Sequence, residues 1–312
     1  MRVELMIEGQ EDVSWPQWVA LAQTCEEHGV GTLFRSDHYL SVGGHDERGS
    51  LDAWTTMAGL AAVTTRLRLG VLVSPATFRH PSVLAKNVTA VDHISNGRVE
   101  LGLGAGWHER EHEAYGFAFP ALGTRMELLE EQLAVVRGMW AEGPFSFAGE
   151  HYRMDAVDAL PKPVQRPHPP IIIGGEARPR TARLAAQFAD EYNTVFATPA
   201  QCAERRAVVE RAWADAGRDP SSLTFSVMVP WLIGADAADL KQRAERLAAW
   251  QGSEAGALID EFAEVGVAGT LDEAIARLRD YRDAGIDRIM LQHLLHDDLD
   301  AIALLARLAA DV

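Results

Sequence analysis

The sequence predicts an α/β fold, a (β/α)8 TIM barrel with insertions, running over residues 1–312 as a single domain. Three observations carry this prediction. Short β-branched or apolar runs alternate with longer amphipathic stretches about eight times, as in a parallel sheet with crossover helices. The 312-residue length suits a barrel extended by insertions. No linker or low-complexity stretch divides the chain, whereas an open doubly wound sheet would normally show a domain break.

The elements follow in order. Residues 3–7 read as the first strand, and 15–28 as a helix whose Trp15, Trp18, Val19, Ala22 and Cys25 recur at helical spacing before Gly29 stops it. Strand 31–34 and helix 51–64 come next, then strand 67–73, helix 82–94 with Gly97 as its stop, and strand 98–103. Residues 104–123 form a long loop, and loops of this length inside compact domains are usually functional. A patterned helix covers 125–140, and 145–154 makes a small inserted hairpin. Prolines between 161 and 170 keep the chain extended up to strand 171–173. The second half reads as helix 178–189, strand 191–195, helix 199–216, strand 223–232 and helices within 235–263. Helix 271–284, capped by Thr270 or Asp272, strand 288–292 and helix 294–310 complete the chain.

Composition excludes several classes of function. Hydrophobic residues make up 47% and charged residues 24%, so a large core can be buried and global disorder is excluded. No apolar stretch approaches the roughly 20 residues of a membrane-spanning helix. The first residues lack the pattern of a secretory signal, and Cys25 and Cys202 are too few for a disulfide framework, so a cytoplasmic setting is expected. Lys and Arg total 29 against 45 Asp and Glu, a formal charge of −16, with no clustered basic run to hold nucleic acid. A small anionic ligand remains compatible, because one helix N-terminus and one Arg can hold a phosphate.

In a barrel, chemistry sits in the loops after the strands, here 36–49, 74–80, 104–116 and 174–181. Asp37-His38 ends the second strand, where an Asp beside a His can tune a proton donor; a chance pairing in a loop is the plainer reading. Gly102-Leu103-Gly104-Ala105-Gly106 follows the fourth strand rather than the first, and leads into a loop rather than a helix, so it is no dinucleotide fingerprint. It is either a bare backbone for a flat ring or an ordinary strand-end turn. Gly174-Gly175-Glu176-Ala177, followed by Arg180 and Thr181, fits a phosphate site at a helix start; a tight turn with surface arginines fits equally.

His108-Glu109-Arg110-Glu111-His112 formally matches the zinc-hydrolase pattern, with Glu109 as base. Gly106-Trp107 precedes it instead of a long apolar helix, its intervening residues offer no face to bury, and no third ligand is recognisable. A solvated helical turn at the pocket rim is the commoner reading; zinc hydrolysis through His108, Glu109 and His112 is a remote alternative, and no metal is expected.

Taken together, SDHYL (36–40), LGVLVSPATFRHPSVLAK (69–86), SNGRVELGLGAGW (95–107), RMELLEEQLAVVRGMW (125–140), PHPPIIIGG (167–175) and AGIDRIMLQ (284–292) resemble the bacterial-luciferase-like flavin and deazaflavin oxidoreductases, and more narrowly their coenzyme F420-dependent branch. The resemblance spans the whole chain in the expected order. It implies a (β/α)8 barrel holding F420 at the strand C-termini, with Asp37 and His38 beside the ring and His38 the proton donor. It also implies a non-proline cis peptide at Leu72–Val73 against the ring, cofactor contacts from Gly104, Ala105, Gly106 and Trp107, and a phosphate on Gly174, Gly175, Glu176 and Ala177 with Arg180 nearby. Trp107, Trp54 and Phe78 are candidates for the substrate wall. A homodimer acting on a small organic molecule is expected. The runner-up is an FMN-dependent monooxygenase using oxygen and reduced flavin from a separate reductase. One departure limits the substrate: sugar-phosphate dehydrogenases of this family carry Glu where this chain has Trp107, and Lys162 and Lys241 are the only lysines beyond residue 86, so no sugar phosphate is predicted.

Overall fold

The computed structural model describes residues 1–312, and none of its helices is long and apolar enough to cross a membrane. The first half contains β1 (Arg2–Ile7), α1 (Trp15–His28), β2 (Thr32–Arg35), α2 (Ala53–Val63), β3 (Arg68–Pro75), α3 (Pro81–Ser95) and β4 (Val99–Gly104). Then come α4 (Glu109–Tyr115), α5 (Leu122–Trp140) and the antiparallel hairpin β5 (Phe145–Ala148) and β6 (Arg153–Val157). The second half has β7 (Ile171–Gly174), α6 (Pro179–Phe188), β8 (Glu191–Val195), α7 (Pro199–Asp215) and β9 (Thr224–Gly234). It ends with α8 (Ala237–Gln251), α9 (Ala255–Val265), β10 (Val267–Thr270), α10 (Leu271–Asp283), β11 (Arg288–His293) and α11 (Asp300–Asp311).

Strands β1-β2-β3-β4-β7-β8-β9-β11 pair in parallel in that order, and β11 returns to β1, closing the barrel expected from the alternation. Capping residues set the helix ends. Ser14 and Gln17 form a reciprocal box at the start of α1, and Thr270, rather than Asp272, does the same with Glu273 for α10. Asn96, not Gly97, takes the left-handed cap of α3, at φ 55°.

Two elements differ from the sequence reading. β10 pairs with the end of β9, Val267 opposite Trp231 through Thr270 opposite Gly234, outside the barrel ring. It is too short to alternate visibly between two helices. α4 occupies part of the stretch read as a loop, and its burial is tertiary in origin, as shown below.

Successive strand residues face opposite ways. Outward residues such as Leu5, Leu33, Val71, Leu101 and Ile173 pack under helices carrying Trp18, Leu60, Leu133 and Trp213. Inside, Met6, Phe34, Leu72, Ile172, Met228 and Met290 form an apolar plug. Arg288 and its carboxylate partners lie toward the N-terminal ends of the strands; Glu8, Ser36 and Gln292 lie toward the C-terminal ends.

Candidate active site

The segment after β2 is pinned from below. Buried Arg35 donates to the Ser36 carbonyl at 2.8 Å and to Thr56 at 3.0 Å, and Ser36 Oγ bridges the Gly9 amide and Gln10. Asp37, 1% exposed, has both oxygens engaged: Ser74 Oγ donates to Oδ2 at 2.7 Å, and Arg79 donates at 2.5 and 3.1 Å. Arg79 also binds Asp52 at 2.7 Å and the Tyr39 hydroxyl at 3.0 Å. Burial would raise the Asp52 carboxyl, but hydrogen bonds from Thr55 and Arg79 hold it at about 2. Asp37 is thus the centre of an ion-pair network behind the mouth.

His38 faces another way. Its Nδ1 lies 2.9 Å from Oε2 of Glu111, a fully buried carboxylate on α4. The other oxygen of Glu111 accepts the amides of Tyr39 and Leu40. Burial opposes ionisation of Glu111, yet His38 and those amides outweigh it and hold the carboxyl low. Burial likewise opposes a charge on His38, but the Glu111 hydrogen bond and the nearby Glu111, Glu8 and Asp37 charges raise its basicity overall. An ionised Glu111 can only accept, so Nδ1 of His38 donates, and Nε2 is left without a protein partner.

The zinc-hydrolase reading fails on geometry. His112 is fully buried with Nδ1 2.8 Å from the His108 carbonyl and Nε2 2.6 Å from Thr77 Oγ1, while Glu109 is exposed. The buried face that the sequence did not reveal comprises Glu111 and His112. His108 instead turns toward His38, ring centroids 5.8 Å apart, and stacks on Trp107 at 5.1 Å. Burial lowers its basicity despite the pull of Glu111.

A cis peptide joins Leu72 and Val73, the bond named by the resemblance, and the β3–β4 register shifts there. Val73 then occupies the space left by glycines on the neighbouring strands. A Cβ on Gly102 or Gly104 would fall 2.8 Å from its methyl groups. These two glycines therefore admit Val73 first, and only Gly104, Ala105 and Gly106 lie at the rim. Gly106 needs its freedom directly, at φ +81°. Trp107 is 64% exposed and meets His38 edge-on at 5.6 Å, so it walls the mouth. Trp54 does not: it is buried, donating to Ser74 at 3.0 Å. Phe78 stacks on Phe117 at 4.7 Å beside a neighbouring cleft of about 290 Å³ that includes Arg79 and Tyr152.

In the glycine turn after β7, the Gly175 amide donates to the Asn193 carbonyl and the Ala177 amide to the Tyr192 hydroxyl. Ala177 sits at φ 56°. No side chain caps α6, so the amides of Glu176, Arg180 and Thr181 are open to an anion. The Arg180 side chain reaches the Gly123 carbonyl at 3.3 Å and stays partly exposed. The residues that sequence reasoning missed are Glu111 and Arg79; only their partners across the fold mark them.

Comparison with known proteins agrees with this fold. The chain is 30% identical over 248 residues to the uncharacterised protein Rv0953c of Mycobacterium tuberculosis, covering 74% of this chain and 82% of the relative. It is 31% identical over 263 residues to the pyrimidine monooxygenase RutA of Stutzerimonas stutzeri, covering 81% and 69%. Among solved structures, the monooxygenase RslO1 from Streptomyces bottropensis superposes with a TM-score of 0.85 at 25% identity, covering 100% of this chain and 98% of that one. An F420-dependent secondary alcohol dehydrogenase in complex with an F420-acetone adduct shares the fold, with a TM-score of 0.84 at 21% identity and coverage of 100% and 99%. Residues 2–288 match the luciferase-like monooxygenase family, and the chain belongs to it.

Proposed function

We propose that this barrel transfers a hydride between coenzyme F420 and a small organic substrate, with His38 managing the accompanying proton. The observation that carries the reading is the His38–Glu111 pair: a fully buried carboxylate occupies Nδ1 and favours the charged imidazole, leaving Nε2 to give or take a proton. The residues present suit a deazaflavin. The uncapped start of α6, with Glu176, Arg180 and Thr181 amides, is a donor set for its phosphate, beside Gly174, Gly175 and Ala177. Leu72, Val73, Gly104, Ala105, Gly106 and Trp107 make the seat for its ring. When bound, the coenzyme supplies the redox chemistry; the chain supplies orientation and the proton. Asp37 is a positioning residue, holding Arg79 and thereby the backbone on which His38 sits.

A second reading is an FMN-dependent monooxygenase using oxygen and reduced flavin from a separate reductase. The 31% identity to a pyrimidine monooxygenase favours it. Parallel fluorescence titrations of the purified chain with F420 and with FMN test both. Tight quenching by F420 alone supports the first reading, and binding of FMN alone replaces it with the second. Binding of neither overturns both.

A further inference from the structure

We propose that His38, His108 and Glu111 form a binding site for a zinc-class divalent cation at the barrel mouth. The HEREH segment suggested a metal through the wrong partner. Folding turns His112 away to Thr77 and brings His108 and Glu111, from the start of α4, against His38 at the end of β2. Glu111 Oε2 lies 2.9 Å from His38 Nδ1 and 4.0 Å from His108 Nδ1, and one ligand atom from each residue lies within 4.8 Å of the other two. A tetrahedral ion with bonds near 2.0–2.1 Å holds neighbouring ligand atoms about 3.3 Å apart. The two separations to Glu111 straddle that value, the two histidine nitrogens lie within 4.8 Å of one another, and a closer approach of the His108 ring completes the triad.

A second observation points to a ligand. His108 Nδ1 is buried and has no hydrogen-bond partner, although it faces an ionised carboxylate. Native folds rarely leave such an atom unmatched, and a cation between it and Glu111 would match it. Two imidazoles and a carboxylate are a ligand set that zinc accepts, with a further position for water. Metal binding displaces the proton on His38 Nδ1. Occupancy therefore removes the proton-handling state of His38 and inhibits turnover; this consequence, unlike the site, rests on the proposed function.

The test uses the metal alone. Full-length protein stripped with chelator is titrated with ZnCl2 by calorimetry and with CoCl2 by visible absorption, which reports the geometry of the bound ion. One ion per chain is expected, with affinity falling at least about tenfold in His108→Ala. His108→Phe, which keeps the stack on Trp107, gives the same reading should the alanine variant misfold. The exposed Glu127, Glu150 and His151 cluster is the internal control, and His151→Ala leaves the binding unchanged. Absence of binding, binding that survives loss of His108, or binding that disappears with His151 overturns the proposal.

Discussion

At the N-terminal end of the barrel Arg288 lies among Glu4, Glu100 and Glu191, whereas at the C-terminal end His38 and His108 share Glu111. The lower cluster is sealed and nearly fully paired: only Arg288 Nε, 3.5 Å from Glu4, and one Glu191 oxygen lack a hydrogen bond. Arg288, 1% exposed, reaches Glu100 at 2.7 Å, Glu191 at 3.1 Å and Thr32 at 2.7 Å, with its guanidinium 4.6 Å above the Phe34 ring. Arg68 adds a second cation to Glu100 at 2.7 Å. The upper cluster is open, with Nε2 of His38 and Nδ1 of His108 unclaimed. The difference follows from position: the lower ring is plugged by apolar side chains above, while the upper one meets the loops where ligands enter. Charge sealed inside the ring holds the barrel together; charge at the loop-lined mouth is placed for chemistry.

The largest effect should come from breaking the closed end. Arg288→Met leaves three carboxylates buried around an apolar side chain and should cost about 3–5 kcal/mol, a large share of a domain's stability. Urea unfolding followed by circular dichroism measures it, and a loss below about 1 kcal/mol would erase the contrast between the two ends. At the open end the expectation reverses. His38→Ala should lower turnover by about 10²–10⁴-fold while leaving cofactor affinity nearly unchanged, and should cost less stability than Arg288→Met because the Tyr39 and Leu40 amides still hold Glu111. Equal losses in binding and turnover would instead make His38 a binding residue.

Acid should act with opposite signs on His293 and His296 above and on Glu4 and Glu191 below. Near the upper rim, burial lowers His293 to about 4 and His296 to about 3, against the pull of Asp298 on His293 and alongside Arg243 and Arg48. The unfolded chain takes up these protons first, so the stability present above about pH 6.5 is lost as pH falls, by about 2 kcal/mol per histidine at pH 5. Below, burial raises Glu4 and Glu191, with Arg288 opposing it, so the folded state binds those protons first and their charge penalty is relieved as pH falls. Guanidinium unfolding at pH 7.5 and 5.0 should show a net loss in the wild type, reduced in His296→Phe. A midpoint that rises at pH 5.0 would mean that the lower carboxylates dominate.

The smallest effect tests the rim backbone. A Cβ at Gly106 would sit 2.9 Å from Thr77 Oγ1 at a left-handed φ, so Gly106→Ala should cost about 1–2 kcal/mol. Thermal unfolding reads the cost, and an unshifted midpoint would show that the rim relaxes freely.

Much of the fold was legible because it is written in local periodicity. The eight barrel strands, the inserted hairpin and most helices follow from alternation, capping residues and glycine stops. β10 escaped because four residues beside a long strand carry no period of their own, and α4 because its charged residues look solvated until the fold buries two of them. The candidate site was legible only in part. His38, the glycine rim and the turn before α6 stand at strand ends, where a barrel puts its chemistry. Trp54, by contrast, belongs to the core.

By itself, then, the sequence determined the barrel, the order of its elements and the loops that converge at its mouth, because hydrophobic period and turn chemistry act between near neighbours. Only the tertiary structure decided which charges meet. Glu111 reaches His38 across 73 positions, Arg79 reaches Asp37 across 42, and Arg288 reaches Glu100 across 188. A buried charge is tolerated only where a partner lies within hydrogen-bond reach, and that partner is chosen by the closure of the barrel rather than by spacing along the chain.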